Sequence, residues 1–231
     1  MTAHHASGPP WPDKSTDEKL DALRDMTLGL YAVVSRAATA AVLRTVRAHP
    51  CADEAERTSA ERMAAMIVAH PDIWSPTCEA GHVTGSALVV HGESGRVLLL
   101  WHRKLERWLQ MGGHGEFEMS AAETALREAQ EESGLPDLRF IPQALTPAPL
   151  DLDAHVIPAS RGKPEHYHLD LRYLLATDHP NEIRRNDESA DLRWFTVAET
   201  GGLDLDPGLR RLIHKAEALM HSAEHTASGL N

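Results

Sequence analysis

Residues 112–135, GGHGEFEMSAAETALREAQEESGL, constrain this chain more than any other stretch, because a glycine-rich loop runs straight into a helical pattern. Ser120 and Glu123 stand at the spacing of a capping box, so a helix begins at about Ala121. Gly134, with Pro136 two residues later, is a C-terminal stop. Ala122, Ala125, Leu126 and Ala129 line one side and suit packing on a sheet. Glu128, Glu131 and Glu132 share a different face at i, i+3 and i+4. Like charges at that spacing repel and weaken an isolated helix. One explanation is a solvated acidic face. The other is a site for a hard divalent cation, Mg²⁺ or Mn²⁺, which prefers carboxylate oxygens and would relieve the repulsion.

The flanking sequence supplies a sheet. Residues 86–91 and 96–102 are short apolar runs around the turn residues 92–95, and 150–157, 166–175 and 192–195 read as further strands. A helix covers 207–221, with Leu209, Leu212, Ile213, Ala216 and Leu219 on one side. Strands interrupted by helices indicate one α/β domain over 77–222, followed by a flexible tail at 223–231. Before it, residues 1–14 read as a disordered tail and 15–76 as a helical extension. In that extension Ser15 and Glu18 cap a first helix, Leu23, Met26, Leu30, Val33 and Ala37 form its apolar stripe, and a second helix runs from about Asp53 to His70. Apolar stripes of that size call for cover by the α/β domain or by a second chain, so a homodimer through these helices is one arrangement they suggest.

Composition narrows the function. The 231 residues carry 23 Lys and Arg against 34 Asp and Glu, a net charge of −11, which argues against a nucleic-acid polymer or an anionic membrane as partner. Two cysteines, Cys51 and Cys78, make neither a disulfide framework nor a four-cysteine zinc site. The first residues show no apolar signal region, and Arg36 interrupts the longest weakly charged stretch, 26–43, so the expectation is a cytoplasmic protein with no membrane span.

The loop and helix resemble the box of the Nudix hydrolase family: Gly113, Arg127, Glu128, Glu131, Glu132, Gly134 and Leu135 fall in its register, with two departures, Met119 in place of the first glutamate and the small Ala129 in the aliphatic slot. The resemblance covers about 77–222. It implies an α/β/α sandwich with a mixed sheet, here with the N-terminal helical extension. It implies a Mg²⁺- or Mn²⁺-dependent hydrolase that cleaves a diphosphate bond in a nucleoside diphosphate linked to another group, or in a similar small organic diphosphate. On that resemblance Glu128, Glu131 and Glu132 are the metal-binding carboxylates, with Glu128 also the general base. Arg127 orients them, Gly112 and Gly113 let the loop backbone approach the phosphates, and Glu188, ahead of Trp194, is a further catalytic carboxylate. With Met119 in the box, only Glu116 or Glu118 can stand in as the loop partner of Arg127. A catalytically weakened domain that binds a nucleotide or regulates is the alternative function. An isomerase of the isopentenyl-diphosphate type shares the fold but would want a cysteine near the sheet, and Cys51 and Cys78 lie outside the recognised strands.

Around the box, His166, His168, Asp170 and Arg172 alternate along one strand and Asp151, Asp153 and His155 along another, which suggests a wet cleft in which His166, His168 and Asp170 touch substrate. A solvent-facing sheet explains the pattern equally well. A zinc site from His155, His166 and His168 has weaker support, because histidine pairs on strands lack a specific ligand spacing, and Cys78 with His82 has less still. Arg103 and Lys104, in a basic cluster with His102 and Arg107, suit steering of an anionic substrate or plain solvation.

Overall fold

The computed structural model describes residues 16–116, 118–160, 162–184 and 189–228, so the expected tail at 1–14, the Ser15 cap and Glu188 lie outside the described residues. Two helices open the chain, α1 (Thr16–Ala48) and α2 (Glu54–Ala69). Asp53 caps α2 by accepting the Glu56 N–H at 2.8 Å. Val42 and Val46 of α1 and Ala60, Met63 and Ile67 of α2 are buried in the main core, so α1 packs through its C-terminal part. The stripe expected to be covered is not: Leu23, Met26, Leu30 and Val33 are all more than half exposed. By length and composition alone, Leu23–Ala48 is also long and apolar enough to cross a membrane, with a mean hydropathy of 1.5, although Arg36 suggested otherwise.

Among the described residues the sheet has eight strands: β1 (Gly81–His91), β2 (Val97–His102), β3 (Arg107–Leu109), β4 (Met111–His114), β5 (Arg139–Phe140), β6 (Asp151–Ile157), β7 (His166–Thr177) and β8 (Ser189–Phe195). Their order is β3-β2-β1-β7-β5, with β4 on β1, β6 on β7 and β8 on β2. β1 and β7 are parallel from Gly81–Tyr167 to His91–Thr177, and the other pairs are antiparallel. Strand alternation divides the faces. Val83, Ala87, Val89, Leu169, Leu171, Tyr173 and Leu175 meet α2 and α3 (Ala121–Ser133). On the opposite face Leu88, Val90, Leu174 and Ala176 lie beneath Leu209, Leu212, Ile213 and Ala216 of the last helix, which follows the short α4 (Val197–Thr200) and is α5 (Pro207–Ser228). This is the α/β/α sandwich with a mixed sheet and a helical extension. β1 begins five residues earlier than the apolar run, because its polar and small residues hide it, and α5 continues past the expected end at 221.

The polar half of that second face is drier than the alternation suggested. Asp151, Asp170 and Arg172 are buried, and Arg172 pairs with Asp170 at 2.9 Å, Asp153 at 2.9 Å and Asp151 at 3.6 Å. Arg211 of α5 donates to Asp151 at 2.6 and 3.1 Å. The network reaches α2 through Glu56, whose carboxylate accepts from the Ala52 N–H at 2.6 Å, the Leu152 N–H at 3.1 Å and Lys215 Nζ at 2.6 Å, and pairs with His49 at 2.7 Å. The α1–α2 junction is thereby tied to β6 and α5.

Burial alone would push the Glu56 carboxyl up, but His49, the Ala52 N–H and Lys215 outweigh it and hold the group below the usual carboxylate range. A depressed carboxyl contributes stability that is present above its unfolded value near 4.5 and is lost as pH falls toward the folded value. Glu56→Gln is therefore expected to lower the unfolding free energy at pH 7 by about 2–4 kcal/mol, by leaving Lys215 and two backbone N–H groups short of a charged acceptor. Its stability should depend less on pH below about 4.5 than the wild type's, as read by urea unfolding at pH 7 and pH 4. Deleting residues 1–34 should leave the unfolding midpoint unchanged, whereas deleting 1–70 removes Met63 and Ile67 from the core and should give aggregation, both measurable by thermal unfolding and light scattering.

Candidate active site

α3 forms where its caps place it: Ser120 accepts the Glu123 N–H and Gly134 closes the C-terminus in the left-handed conformation. β4 runs antiparallel to the first half of β1, with Gly112 opposite Ser86 and His114 opposite Thr84. Both glycines of the loop are required by contact. Gly112 has φ +157°, and a Cβ there would run into the Ser86 side chain; a Cβ on Gly113 would run into the Glu128 carboxylate. Removing two side chains lets the α3 carboxylates lie against bare β4 backbone, and Glu132 Oε2 accepts the Gly112 N–H at 2.9 Å.

Arg127 is the hub. Its Nε donates to Glu118 at 2.7 Å, Nη1 to Glu131 at 2.9 Å, and Nη2 to Glu128 at 3.0 Å and to the His114 carbonyl at 2.6 Å. Of the two acidic residues next to Met119, Glu118 is the one that reaches Arg127, and it also accepts the Glu116 N–H at 2.9 Å. Burial pushes Glu118 up, but its backbone contacts and Arg127 bring it down to about 2. Burial raises Glu128, and Glu131 and Glu116 add to this against the pull of Arg127. One guanidinium faces Glu118, Glu128 and Glu131, one positive charge against three negative, which leaves −2 before Glu132 is added. A divalent cation matches that deficit and that all-oxygen donor set, so the residues fit Mg²⁺ or Mn²⁺. Arg127 spaces the glutamates: they are not gathered within 4.8 Å of one another, as two other groups of side chains in the molecule are.

The remaining sequence candidates scatter. Arg103 and Lys104 are exposed in the turn after β2, and neither forms an ion pair among the described residues. Asp170 is no surface ligand. It is buried, its Oδ1 accepts from Thr84 at 3.0 Å and Ser86 at 2.8 Å, and its Oδ2 accepts from Arg172, so its acceptors are committed inside the protein. His166 and His168 are half-buried, and His168 sits in a group with His82 and His114. Sequence reasoning paired His82 only with Cys78 and assigned no role to Thr84 or Ser86. The period-two spacing of the three was the available signal, hidden by the small residue Gly85 and by the lack of an apolar run at this end of β1. Two surface clefts, of about 320 Å³ at residues 92–95 and about 550 Å³ beside Arg62 and Tyr167, lie away from the box and include none of its residues.

Comparison with known proteins places this arrangement. No curated protein sequence matches the chain. Among solved structures it is similar to an Ap4A hydrolase of C. elegans in a binary complex (14% identity, 61% of this chain and 98% of that one, TM-score 0.45). It is similar also to the E. coli dihydroneopterin triphosphate pyrophosphohydrolase (18%, 58% and 92%, 0.45) and to the NUDIX domain of Shewanella oneidensis NrtR complexed with ADP ribose (17%, 67% and 96%, 0.42). The family model for the NUDIX domain matches residues 81–216, more than half of the chain and the whole of β1 to the middle of α5, and on that match the protein belongs to the NUDIX family.

Proposed function

We propose that the protein is a divalent-metal-dependent hydrolase that cleaves the diphosphate bond of a nucleoside diphosphate linked to another group, or of a similar small organic diphosphate. The observation that carries this reading is the intact charge constellation around Arg127: three carboxylates from α3, a loop carboxylate supplied by Glu118 in place of the box residue, and β4 backbone bared by Gly112 and Gly113. Glu128, Glu131 and Glu132 would hold Mg²⁺ or Mn²⁺, which supplies charge neutralisation at the phosphoryl group and a more acidic water. Arg127 sets the spacing of Glu128 and Glu131, and the Gly112 N–H holds Glu132. Glu128, whose carboxyl burial raises, would take a proton from an attacking water. Glu188 is a further candidate on sequence grounds alone.

A panel of nucleoside triphosphates, dinucleotides, nucleotide sugars and non-nucleotide diphosphates with Mg²⁺ or Mn²⁺ tests the reading. Metal-dependent release of a phosphate product from at least one class is expected. Tight nucleotide binding with no turnover across the panel would instead identify a regulatory module. Glu131→Gln and Glu132→Gln should each cut turnover by about 10²-fold or more, since each removes a charged oxygen ligand. If both retain full metal-dependent activity, the acidic face is only solvated.

The replacement at Met119 gives a sharper test. Glu118 already pairs with Arg127, so Met119→Glu alone should change kcat by less than about two-fold, and Glu118→Gln should lower it by about ten-fold. Adding Met119→Glu to Glu118→Gln should restore most of the loss, read as kcat at saturating Mg²⁺. No effect from any of the three would show that Arg127 needs no loop carboxylate.

A further inference from the structure

We propose that His82, His114 and His168 form a three-imidazole site for a borderline divalent transition-metal ion, Zn²⁺ by donor type, distinct from the carboxylate site on α3. The three side chains come from β1, β4 and β7, three strands made neighbours by the register that sets His82 beside His168 and Thr84 beside His114. Their rings form a nearly equilateral triangle, with centroids 4.7, 4.8 and 4.9 Å apart. One ring nitrogen from each lies within 4.8 Å of the others. His114 Nε2 and His168 Nε2 are already 3.2 Å apart, close to the edge of about 3.3 Å that metal–nitrogen bonds of about 2.0–2.1 Å give in a tetrahedron.

Two neutral imidazoles at that distance can satisfy each other with one shared proton, and such a pair by itself requires no ion. His82 is different. It is 1% exposed, and neither of its buried ring nitrogens makes a hydrogen bond of normal geometry, the Cys78 backbone being the nearest group that pulls against burial. A buried polar group of this kind is normally paired, so an orphaned imidazole aimed at two others marks a place for a ligand. The cluster also has the protonation state a metal requires. Burial, with the neighbouring histidines adding to it, holds His82 down to about 4 and His168 down to about 2, and burial lowers His114 as well, with Lys163 contributing at His82 and His114. Neutral imidazole is the ligating form and suits Zn²⁺, whereas the α3 carboxylates suit Mg²⁺. Lys163 faces the cluster as a cation and Asp170 as an anion, so an added divalent charge meets one group of each sign.

Outside the triangle two more histidines have their Nδ1 atoms engaged: His155 with Asp153 at 2.9 Å and His166 with the Pro164 carbonyl at 2.8 Å. Three protein ligands leave a coordination position open to water or to an oxygen of a bound anion.

Because His70, Asp72 and Cys78 also gather within 4.8 Å, the test must separate the two groups. The full-length chain, stripped with chelator and dialysed against Zn²⁺ at pH 7.5, is expected to keep one equivalent of metal. The Kd should rise by at least about 100-fold in His114→Asn and His168→Asn and stay unchanged in His70→Ala and in the Glu131→Gln/Glu132→Gln double variant. Keeping the last of these unchanged separates this site from the hydrolytic one. Co²⁺ in place of Zn²⁺ should give the intense visible bands of four-coordinate, nitrogen-rich ligation, unlike the weak bands of a six-coordinate all-oxygen site, and no sulfur-to-metal charge transfer. That spectrum is read on the wild type and decides the matter even if the histidine variants do not fold. A wild type that retains no metal, histidine variants that bind like the wild type, or a thiolate charge-transfer band pointing to Cys78 each overturns the proposal.

Discussion

The parallel pairing of β1 with β7 is the constraint on which the rest of the molecule depends. Its register puts His82 beside His168, Thr84 beside Asp170 and Ser86 beside Arg172, and with the alternation of side chains it settles which chemistry faces which helix. A slip of one residue would either turn Val83, Ala87 and Val89 of β1 away from α2 and α3 or drive Asp170 and Arg172 of β7 into the apolar layer. The buried ion network acts against such a slip. Asp170 of β7 accepts from Thr84 and Ser86 of β1 in this alignment, and Arg172, which also pairs with Asp151 and Asp153 of β6, Arg211 and Lys215 of α5 and Glu56 of α2 close around it. A charge in the interior is costly when its partner is displaced, so these pairs penalise misalignment more than they reward burial.

Arg127 does for the candidate active site what Arg172 does for the sheet. It faces several carboxylates with one guanidinium, and its planar fork sets their spacing. The balance is deliberately incomplete at one end of α3: Glu128 is raised by burial and like charge, while Glu118, outside the helix, is lowered. Two neighbouring carboxyl groups are thus driven in opposite directions by their surroundings, Glu118 by its backbone contacts and Arg127, Glu128 by burial.

Much of this was legible in the sequence, for identifiable reasons. The caps at Ser120 and Gly134, the packing side of Ala122, Ala125 and Ala129, and the acidic face of α3 are local patterns, and they form as local rules dictate. What failed was long-range. Asp170 reads as an exposed residue of an alternating strand, and only the pairing with Thr84, Ser86 and Arg172 shows that it is buried and committed. The start of β1 is hidden because its side chains are polar or absent, although its backbone pairs continuously with β7. The stripe on α1 has the right period, but period alone does not say whether a surface exists to receive it, and the described chain offers none to its first half.

The second face of the sheet changes character along β1, from His82, Thr84 and Ser86 at one end to Leu88 and Val90 at the other, and this gradient determines where a ligand can enter. α5 covers the apolar end with Leu209, Leu212, Ile213 and Ala216. Its next contacts toward the polar end are Arg211 and Lys215, which reach Asp151 and Glu56 and seal the middle with charge. Beyond them the face carries histidines, half-buried on β4, β6 and β7, with no apolar helix surface laid across them among the described residues. The glycines that bare β4 to the α3 carboxylates are followed directly by His114, so a single short strand borders both places. Its carbonyl at His114 binds Arg127 on the carboxylate side while its imidazole turns toward His82 and His168 on the other. The strand thus contributes a backbone acceptor to the carboxylate side and a side chain to the histidine face through the same residue.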